Sequence, residues 1–435
     1  MASKLFGTDG IRGVANSGLI TPESIMRLAM AVANYFKRGD FNVVIGKDTR
    51  LSGYMLESAL MTGFTALGAN VFLLGPIPTP AVSFMTRTMR ADLGVVISAS
   101  HNHYMDNGVK FFNNKGFKIS SRDEEAITNL FYGNEELKLC SPENMGRAKR
   151  IEDISGRYVE FVKGSFTRNM MLSGWKIVVD AANGAAYRVA PNVFWELGAD
   201  VITIGAEPDG YNINRECGAT EPRLLQQKVI EHGADIGFAL DGDADRLIVV
   251  DNEGAIIDGD YIIATIATDW KARNKLRSNK IVVTNMSNTG LEKYLDSIGL
   301  VLEKSDVGDK NVVEKMIQTK SNLGGEKSGH IIPIDYTTTG DGLIAALQVL
   351  DYLVTNSKRA SDIRKLYTPF PQIFRNINRE VDSINITKAT SRVLNGRGRV
   401  VVRQSGTEGV TRLMIEAEDT SVIDTAMNLI KELIA

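Results

Sequence analysis

The sequence predicts an α/β fold of four domains: three related α/β domains with mixed, mostly parallel sheets, and a smaller C-terminal α+β domain. The chain has 435 residues, which is too long for a single hydrophobic core. A pattern of strand, helix and strand occurs three times along it, and the C-terminal region departs from that pattern. We therefore predict domains I to IV at residues 1–153, 154–254, 255–367 and 368–435.

Each copy of the repeat begins with a short strand of mainly β-branched residues that ends in polar residues. A helical stretch follows, and a glycine then leads into a second strand. Parallel strands need a crossover of this kind, so each copy predicts a mostly parallel sheet. The first strands are Asn42–Asp48, Lys176–Gly184 and Lys280–Asn285, and the second strands are Gly68–Leu73, Gly198–Thr203 and Gly299–Leu302.

Local signals near both ends of the chain complete this prediction. Thr21 followed by Pro22 is typical of a helix N-cap and first turn. The two prolines of Tyr367–Pro371 are typical of a stiff connection, here between domains III and IV. Beyond it, Arg399–Val402 and Leu413–Ala417 have the pattern of strands. The closing helix is predicted to bury one face, made of Ile423, Ala426, Met427, Ile430, Leu433 and Ile434.

The composition is that of an ordinary globular protein, with 43% hydrophobic and 23% charged residues. The 50 Lys and Arg against 52 Asp and Glu give a net charge of −2, so no basic field favours nucleic acid or an acidic membrane. The two cysteines, Cys140 and Cys217, fit a reducing compartment. Because no apolar signal segment and no run of about 18 apolar residues occurs, we expect a cytoplasmic protein without a membrane anchor. The assembly is expected to be either a monomer or a homodimer, and no sequence feature distinguishes the two.

The first candidate site residue is Ser100, which follows the apolar strand Leu93–Ile97. Parallel α/β sheets place their chemistry at the carboxyl ends of strands, where Ser100 is expected to lie. A serine hydroxyl is a weak nucleophile and needs a base, a cation or a prior modification to react. No Gly-x-Ser-x-Gly turn surrounds it, which argues against an acyl-transfer hydrolase. By itself the tripeptide Ser-His-Asn also fits an ordinary turn.

The second candidate is an acidic loop between two apolar strands. Asp241, Asp243 and Asp245 alternate with small residues, so their carboxylates can converge on one hard cation. Magnesium prefers oxygen ligands of this kind and often completes its shell with a substrate phosphate. The loop is not an EF-hand, because its sixth position holds Arg246 rather than glycine. The alternative is an exposed acidic turn.

Three further glycine-bearing stretches carry groups suited to phosphate or to sugar hydroxyls. In chain order, the first stretch has an arginine among glycines, and the second has a carboxylate, a hydroxyl and a histidine. The third has an arginine and two hydroxyls. Each also fits an ordinary loop when taken alone. The stretches are Phe6–Gly13 with Arg12, Leu323–His330 with Glu326, Ser328 and His330, and Arg403–Gly409 with Ser405, Gly406 and Thr407.

Together these motifs resemble the α-D-phosphohexomutases, and within that superfamily the bacterial phosphoglucosamine mutases. The resemblance extends from Gly7 to Glu408, and the segments Gly7–Gly13 and Met105–Phe112 are of the glucosamine type. Four motifs carry the resemblance in the family's order: Ser-Ala-Ser-His-Asn at Ser98–Asn102, Asp-Gly-Asp-Ala-Asp-Arg at Asp241–Arg246, Gly-Glu-x-Ser-Gly-His at Gly325–His330 and Arg-x-Ser-Gly-Thr-Glu at Arg403–Glu408.

The resemblance implies four domains around a central cleft, a covalent phosphate on Ser100 and one Mg²⁺ per active site. The implied reaction interconverts glucosamine 6-phosphate and glucosamine 1-phosphate through a 1,6-bisphosphate, and so feeds the synthesis of UDP-N-acetylglucosamine and cell-wall precursors. The implied site residues are Ser100, Asp241, Asp243 and Asp245 for the metal, Glu326 and Ser328 for the sugar, and Arg403, Ser405, Gly406 and Thr407 for the substrate phosphate on a mobile domain IV.

Phosphoryl transfer of this kind needs charge neutralisation and a general base. We assign neutralisation to the metal, Arg246, Arg12 and Lys110. Lys110, His330 and His101 are the candidate bases, and Lys110 is the preferred one, since His101 can instead orient Ser100.

Three alternatives stay open. Three residues differ from those that are usual in the family, namely His103, Lys327 and Gly409. Of these, Lys327 adds a cation where the 2-amino group of the sugar is sensed. The first alternative is therefore the sugar specificity of a phosphomannomutase or phosphoglucomutase. A haloacid-dehalogenase-like phosphatase would use Asp241 as its nucleophile. A sugar-phosphate-binding protein without turnover is the third.

Overall fold

The computed structural model describes residues 5–7, 9–133, 137–404 and 410–434. The strands are β1 (Ile11–Val14), β2 (Asn42–Lys47), β3 (Asn70–Pro76), β4 (Leu93–Ile97), β5 (Asp106–Asn113), β6 (Ala148–Arg150), β7 (Lys176–Asp180), β8 (Asp200–Ile204), β9 (Ile236–Leu240), β10 (Leu247–Asp251), β11 (Ile256–Ile257), β12 (Lys280–Thr284), β13 (Val301–Ser305), β14 (Leu323–Gly325), β15 (Ile331–Pro333), β16 (Gln372–Ile377), β17 (Gly398–Gln404) and β18 (Thr411–Ala417). The α-helices are α1 (Pro22–Phe36), α2 (Gly53–Ala66), α3 (Thr79–Thr88), α4 (Ser121–Tyr132), α5 (Ile154–Lys163), α6 (Val189–Glu196), α7 (Arg223–His232), α8 (Gly259–Ala272), α9 (Thr289–Ser297), α10 (Asp309–Thr319), α11 (Gly342–Thr355), α12 (Ser383–Leu394) and α13 (Thr420–Ile434). Short 3-10 helices lie at Pro142–Asn144 and Ala360–Lys365.

The strands form four sheets. Their orders are β1-β5-β4-β2-β3-β6, β11-β10-β9-β7-β8, β13-β12-β14-β15 and β16-β18-β17. In each of the first three sheets a parallel core carries antiparallel strands at one edge, whereas the fourth sheet is antiparallel throughout. This confirms three α/β domains with mixed sheets and a smaller α+β domain.

The predicted repeat corresponds to three parallel strand pairs. They are β2 with β3, β7 with β8 and β12 with β13. The predicted cap of α1 also forms, because the side chain of Thr21 accepts a hydrogen bond from the backbone N–H of Ser24 at 3.3 Å. Strand β11 extends the second sheet past the predicted limit at residue 254, and the domain limits stay a prediction.

Domain IV contains two elements that the sequence pattern did not predict, β16 and α12. The predicted face of α13 is buried at Ile423, Ala426 and Ile430. Leu433 does not belong to it, since this side chain is 41% exposed. Successive helical residues turn by about 100°, which puts Leu433 at the margin of the apolar stripe.

Packing between domains I, II and III is continuous. One hydrophobic cluster contains Val96 of β4, Val179 of β7 and Leu347 of α11. Domain IV has a separate cluster around Ile415. Groups contributed by the first three domains are therefore held in one packed frame. None of the described helices combines the length and the apolar character that crossing a membrane requires.

Candidate active site

Ser100 lies three residues past the end of β4, as predicted, and its side chain points into the boundary between domains I and II. Its Oγ donates a hydrogen bond to Oδ2 of Asp241 at 2.6 Å, and Nδ1 of His101 lies 3.3 Å away on the other side. Only 1% of Ser100 is exposed. The fold thus brings the predicted nucleophile and the first predicted metal ligand together from positions 141 residues apart.

Asp241, Asp243 and Asp245 occupy the turn between β9 and β10 and are all buried. One carboxylate oxygen from each residue lies within 4.8 Å of the other two. Oδ1 of Asp243 and Oδ1 of Asp245 are buried without a hydrogen-bond partner. Buried carboxylate oxygens normally have partners, so this arrangement has the donor chemistry and the free coordination that a hard divalent cation needs. Burial and the charges of Asp245 and Asp243 raise the pKa of Asp241 to about 8.

Lys110 of β5 supplies the main positive charge at the triad. Its Nζ lies 2.8 Å from Oδ2 of Asp243, 3.2 Å from Oδ2 of Asp245 and 3.1 Å from Oδ2 of Asp9. Burial alone would lower the pKa of Lys110, but these three carboxylates together hold it well above its usual value. Lys110 is therefore placed as a fixed cation, and an unprotonated amine able to accept a proton is disfavoured there.

Arg12 and Arg246 add positive charge at the edge of the same cluster. Arg12 forms an ion pair with Asp9. Burial alone would lower the pKa of Arg12, but the negative charges of Asp9 and Asp243 raise it. The backbone N–H of Arg246 donates to Oδ1 of Asp241 at 3.2 Å. Its guanidinium Nε lies 4.0 Å from the other oxygen of that carboxylate. Both predicted arginines are therefore at the site.

His330 lies between two carboxylates from different domains. Nδ1 is 3.6 Å from Oδ1 of Asp245, and Nε2 is 3.4 Å from Oδ2 of Asp309. Although burial opposes it, the two carboxylates raise the pKa of His330 to about 10. The backbone N–H of Gly340 points at Nε2 from 3.1 Å, a contact that favours the unprotonated nitrogen. The carboxylates on both sides outweigh this one amide, so we assign a protonated ring.

His101 is in the opposite situation. Burial, followed by the charges of Arg246 and Arg12, lowers its pKa to about 3. Its ring is therefore neutral near pH 7 and lies beside the Ser100 hydroxyl. Of the three candidate bases, His101 alone has its pKa moved toward the neutral form.

The predicted sugar loop connects β14 to β15. Oε1 of Glu326 accepts a hydrogen bond from the backbone N–H of Gly308 at 3.0 Å, and Ser328 is exposed. Lys327 turns toward the start of α8, where Nζ lies 2.7 Å from Oδ2 of Asp258 and 3.4 Å from Oδ2 of Asp260. Its charge is therefore neutralised within the protein and is not presented to a sugar.

The predicted phosphate loop is described only at its start. Arg403 lies half-buried in the C-terminal half of β17. Ser405, Gly406 and Thr407 lie outside the described residues.

Domain IV meets domain III through a polar contact. The buried Glu416 accepts a hydrogen bond from the backbone N–H of Thr289 at 3.0 Å, and Arg399 donates to the carbonyl of Asn285 at 2.6 Å.

Several residues at the site were not found by sequence reasoning. Thr79 donates its hydroxyl to Oδ2 of Asp243 at 2.7 Å, and Lys118 joins Oδ1 of Asp9 at 2.5 Å to Oδ2 of Asp309 at 2.6 Å. Asp9 lies within a motif already singled out, so its charge was the available signal. Asp48 ends a predicted strand and bonds Arg50 two residues later, so its position was also a signal. The others bond partners that are distant in sequence, and their own segments carry no local signal. The missed residues are Asp9, Asp48, Arg50, Thr79, Lys118, Asn214 and Asp309.

Comparison with known families agrees with this geometry along the whole chain. Residues 3–138 match the family described as phosphoglucomutase/phosphomannomutase, alpha/beta/alpha domain I. Residues 156–254 match its alpha/beta/alpha domain II, and residues 258–370 its alpha/beta/alpha domain III. Residues 353–432 match its C-terminal domain. The four matches follow one another along the chain in the order of domains I to IV.

Individual relatives are similar over almost their full length. The chain is 52% identical to a phosphoglucosamine mutase of Paracoccus denitrificans, with 97% of each chain covered. It is 50% identical to one of Zymomonas mobilis, with 99% of each covered. Among solved structures, a phosphoglucomutase/phosphomannomutase family protein of Burkholderia thailandensis is 25% identical with a TM-score of 0.85, covering 100% of this chain and 97% of that one. With all four domains matched and half of its residues shared with such relatives, this chain belongs to the phosphoglucomutase/phosphomannomutase family, in its phosphoglucosamine mutase branch.

Proposed function

We propose that this protein interconverts glucosamine 6-phosphate and glucosamine 1-phosphate by way of a phosphorylated Ser100 and a sugar 1,6-bisphosphate. The observation that carries the proposal is the contact of 2.6 Å between the Ser100 hydroxyl and Asp241 of the buried triad. A phosphate on Ser100 would carry nearly two negative charges, and a divalent cation held by the triad would bind its oxygens. The relatives named phosphoglucosamine mutase support the choice of sugar.

The triad fits a resident magnesium ion, as its unpartnered buried oxygens indicate. Asp241, Asp243 and Asp245 would hold the ion together with an oxygen of the phosphate on Ser100. When bound, Mg²⁺ would neutralise negative charge on the phosphoryl group during transfer.

The protein's own side chains do the rest of the work. In the first half-reaction the P–O bond to Ser100 Oγ breaks as a P–O bond to the sugar forms, and the sugar hydroxyl loses its proton. In the second, the P–O bond at the other end of the sugar breaks as the bond to Ser100 Oγ forms again, and the freed sugar oxygen takes up a proton. Lys110, Arg12 and Arg246 pair with Asp243, Asp9 and Asp241 around the triad, and they would neutralise the charge on the phosphoryl oxygens. Lys110 and His330 are both held protonated by carboxylates, so His101, whose ring is neutral, would accept the proton of the sugar hydroxyl.

Recognition of the substrate falls to domains III and IV. Glu326 and Ser328 lie in the sugar loop and have groups suited to hydroxyls. Arg403, together with Ser405, Gly406 and Thr407, would bind the phosphate that is not transferred. Closure of domain IV would exclude water, which otherwise hydrolyses the phosphoserine. We place the reaction in the cytoplasm, which the free thiols of Cys140 and Cys217 support, and leave a monomer or a homodimer as the assembly.

Mapping the covalent phosphate tests the chemistry. Protein prepared with Mg²⁺ should carry an acid-stable phosphate on Ser100, found by peptide mass spectrometry. Ser100→Ala should lose turnover and still bind the sugar phosphate. Ser58→Ala is the matched control, since that exposed hydroxyl bonds only to the Tyr54 carbonyl of its own helix. An acid-labile phosphate on Asp241 would instead identify a phosphatase of the haloacid dehalogenase type.

Comparison of sugars tests the specificity. We expect kcat/KM for glucosamine 6-phosphate to exceed that for glucose 6-phosphate and mannose 6-phosphate by more than about a hundredfold, or ~2.7 kcal/mol. Equal or reversed values would assign the specificity of a phosphomannomutase or phosphoglucomutase. Binding without any product would leave a sugar-phosphate-binding protein.

A further inference from the structure

We propose that Arg50 and Asn214 are positioning residues that hold Ser100 in the backbone conformation that directs its hydroxyl at the aspartate triad. The inference rests on the proposed function, because it explains how the phosphoryl-carrying serine is kept in place. Neither residue contacts the triad carboxylates. Both act on the backbone of Ser100, from different domains.

The backbone of Ser100 needs such support. Its φ is 52°, in the left-handed region that favours glycine. A residue that carries a Cβ, such as serine, is strained in this region by about 1–3 kcal/mol, and the surrounding structure must hold it there. Glycine would remove the strain, but it would also remove the hydroxyl that reacts. The conformation therefore has to be stabilised by neighbouring residues.

Arg50 provides most of this support from within domain I. It is 1% exposed, and each of its five N–H groups has an acceptor. Nε donates to Oδ2 of Asp48 at 2.9 Å. One terminal nitrogen donates to the carbonyls of Ser100 at 3.0 Å and Asn102 at 2.8 Å, and the other to the carbonyls of His103 and of Asp106, the latter at 3.1 Å. A single guanidinium thus binds four carbonyls of the turn that carries Ser100.

The same ion pair also fixes the amide of Ser100. The backbone N–H of Ser100 donates to Oγ of Ser98 at 2.9 Å, and Oγ of Ser98 donates to Oδ2 of Asp48 at 2.6 Å. Asp48 and Ser98 are fully buried. Both backbone polar groups of Ser100 are therefore bonded to the Arg50–Asp48 pair or to Ser98 beside it, and only the side chain is left to reach the triad.

Asn214 adds a support from domain II, between β8 and α7. Its Nδ2 donates to the carbonyl of Ser100 at 2.9 Å and to the carbonyl of Asn102 at 3.2 Å. These are the two carbonyls that Arg50 also binds. A Cβ on Gly242, inside the triad loop, would lie 2.5 Å from the Ser100 carbonyl and 2.9 Å from Nδ2 of Asn214. The amide of Asn214 therefore joins the serine turn to the domain that carries the triad, and so sets the spacing between them.

The test is a single-turnover measurement of phosphoryl transfer. Phosphorylated enzyme is mixed with glucosamine 6-phosphate, and loss of phosphate from Ser100 is followed by intact mass after rapid quenching. Asn214→Gly removes the side-chain donor and suits the φ of 57° at this position. Asn214→Asp keeps the shape but presents only acceptors to the two carbonyls. Asn212→Gly is the control, because the Asn212 side chain bonds only within its own loop, to Asp209 and Glu207.

We expect Asn214→Gly to lower the transfer rate by at least about tenfold, and Asn214→Asp to lower it further, because small displacements of a reacting group cost up to about 100-fold in rate. In both variants KM should stay within about twofold of the wild-type value, and the unfolding midpoint should be nearly unchanged. Asn212→Gly should transfer at the wild-type rate. Arg50→Lys should also be slow, because an ammonium has three donors for five acceptors.

Two results would overturn the inference alone. Transfer at the wild-type rate in both Asn214 variants would remove the positioning role. An equal fall in the Asn212→Gly control would assign the effect to general loosening of the loop. An active Ser100→Ala would overturn the proposed function, and this inference with it.

Discussion

Replacement of Lys327 by glutamine should destabilise this protein in a pH-dependent way. The ammonium of Lys327 lies 3.4 Å from Oδ2 of Asp260, a carboxylate with 0% exposure. Burial, which outweighs the charge of Lys327, raises the pKa of Asp260 to about 6. That oxygen also accepts a hydrogen bond from the backbone N–H of Asn288 at 2.9 Å. Lys327→Gln would therefore raise the pKa of Asp260 further.

The magnitude follows from linkage. A carboxyl whose folded pKa is above its unfolded value, about 3.9, makes the protein less stable as the pH rises between those two values. In the wild type this loss ends near pH 6. In Lys327→Gln it continues at about 1.4 kcal/mol per pH unit, because the folded group stays protonated. The extra destabilisation is then below ~0.5 kcal/mol at pH 6 and reaches at most ~2.7 kcal/mol at pH 8.

Urea unfolding of the wild type, Lys327→Gln, Asp260→Asn and the double variant at pH 6 and pH 8 measures this difference. In the Asp260→Asn background the effect of Lys327→Gln should be small and independent of pH. Lys304→Gln is the control, because the Lys304–Glu292 pair lies on the surface and should contribute under about 1 kcal/mol at both pH values. Equal destabilisation by Lys327→Gln at pH 6 and pH 8 would refute the reasoning.

The remaining predictions concern the triad, the phosphate loop and a second buried carboxyl. Asp243→Ala should lose activity together with its response to Mg²⁺ in a metal titration; an active variant that ignores Mg²⁺ would contradict the metal site. Arg403→Ala should raise KM by about tenfold, the ~1.4 kcal/mol of one charge-assisted contact, and an unchanged KM in steady-state kinetics would remove Arg403 from the site. Burial raises the pKa of Asp341 to about 6, so its charge costs stability that develops from about pH 4 to pH 6. Asp341→Asn should therefore gain up to ~3 kcal/mol relative to the wild type over that range, and parallel unfolding curves would contradict this.

Much of the fold could be predicted because its signals are local. The strands β2, β7 and β12 are runs of β-branched residues followed by polar ones, and such runs are recognisable without knowing their partners. Strand β16 was missed because Gln372–Ile377 mixes polar and apolar residues without alternation. Leu433 was assigned to the buried face of α13 by its spacing alone, which does not show where the stripe of packed residues ends.

The candidate site was predictable in its reacting groups and not in their supports. Ser100 and the triad stand out because hydroxyls and carboxylates beside glycines at strand ends are unusual in a protein core. Lys110 was the preferred base from its residue type. Lys110 is held as a cation by ion pairs with Asp9, Asp243 and Asp245. Of these three carboxylates, only Asp9 belongs to the same domain as Lys110.

By itself, the sequence determined the class of fold, the order of the domains and the candidate residues for the chemistry, since those depend on composition, on spacing along the chain and on the motifs of the family. Only the tertiary structure decided which charges meet and which backbone groups are held. Lys327 pairs with Asp258 and Asp260, and Asn214 binds the carbonyl of Ser100 across 114 residues. The physical reason is that a charge or a hydrogen bond acts over a few ångströms of space, and separation in sequence does not specify that distance.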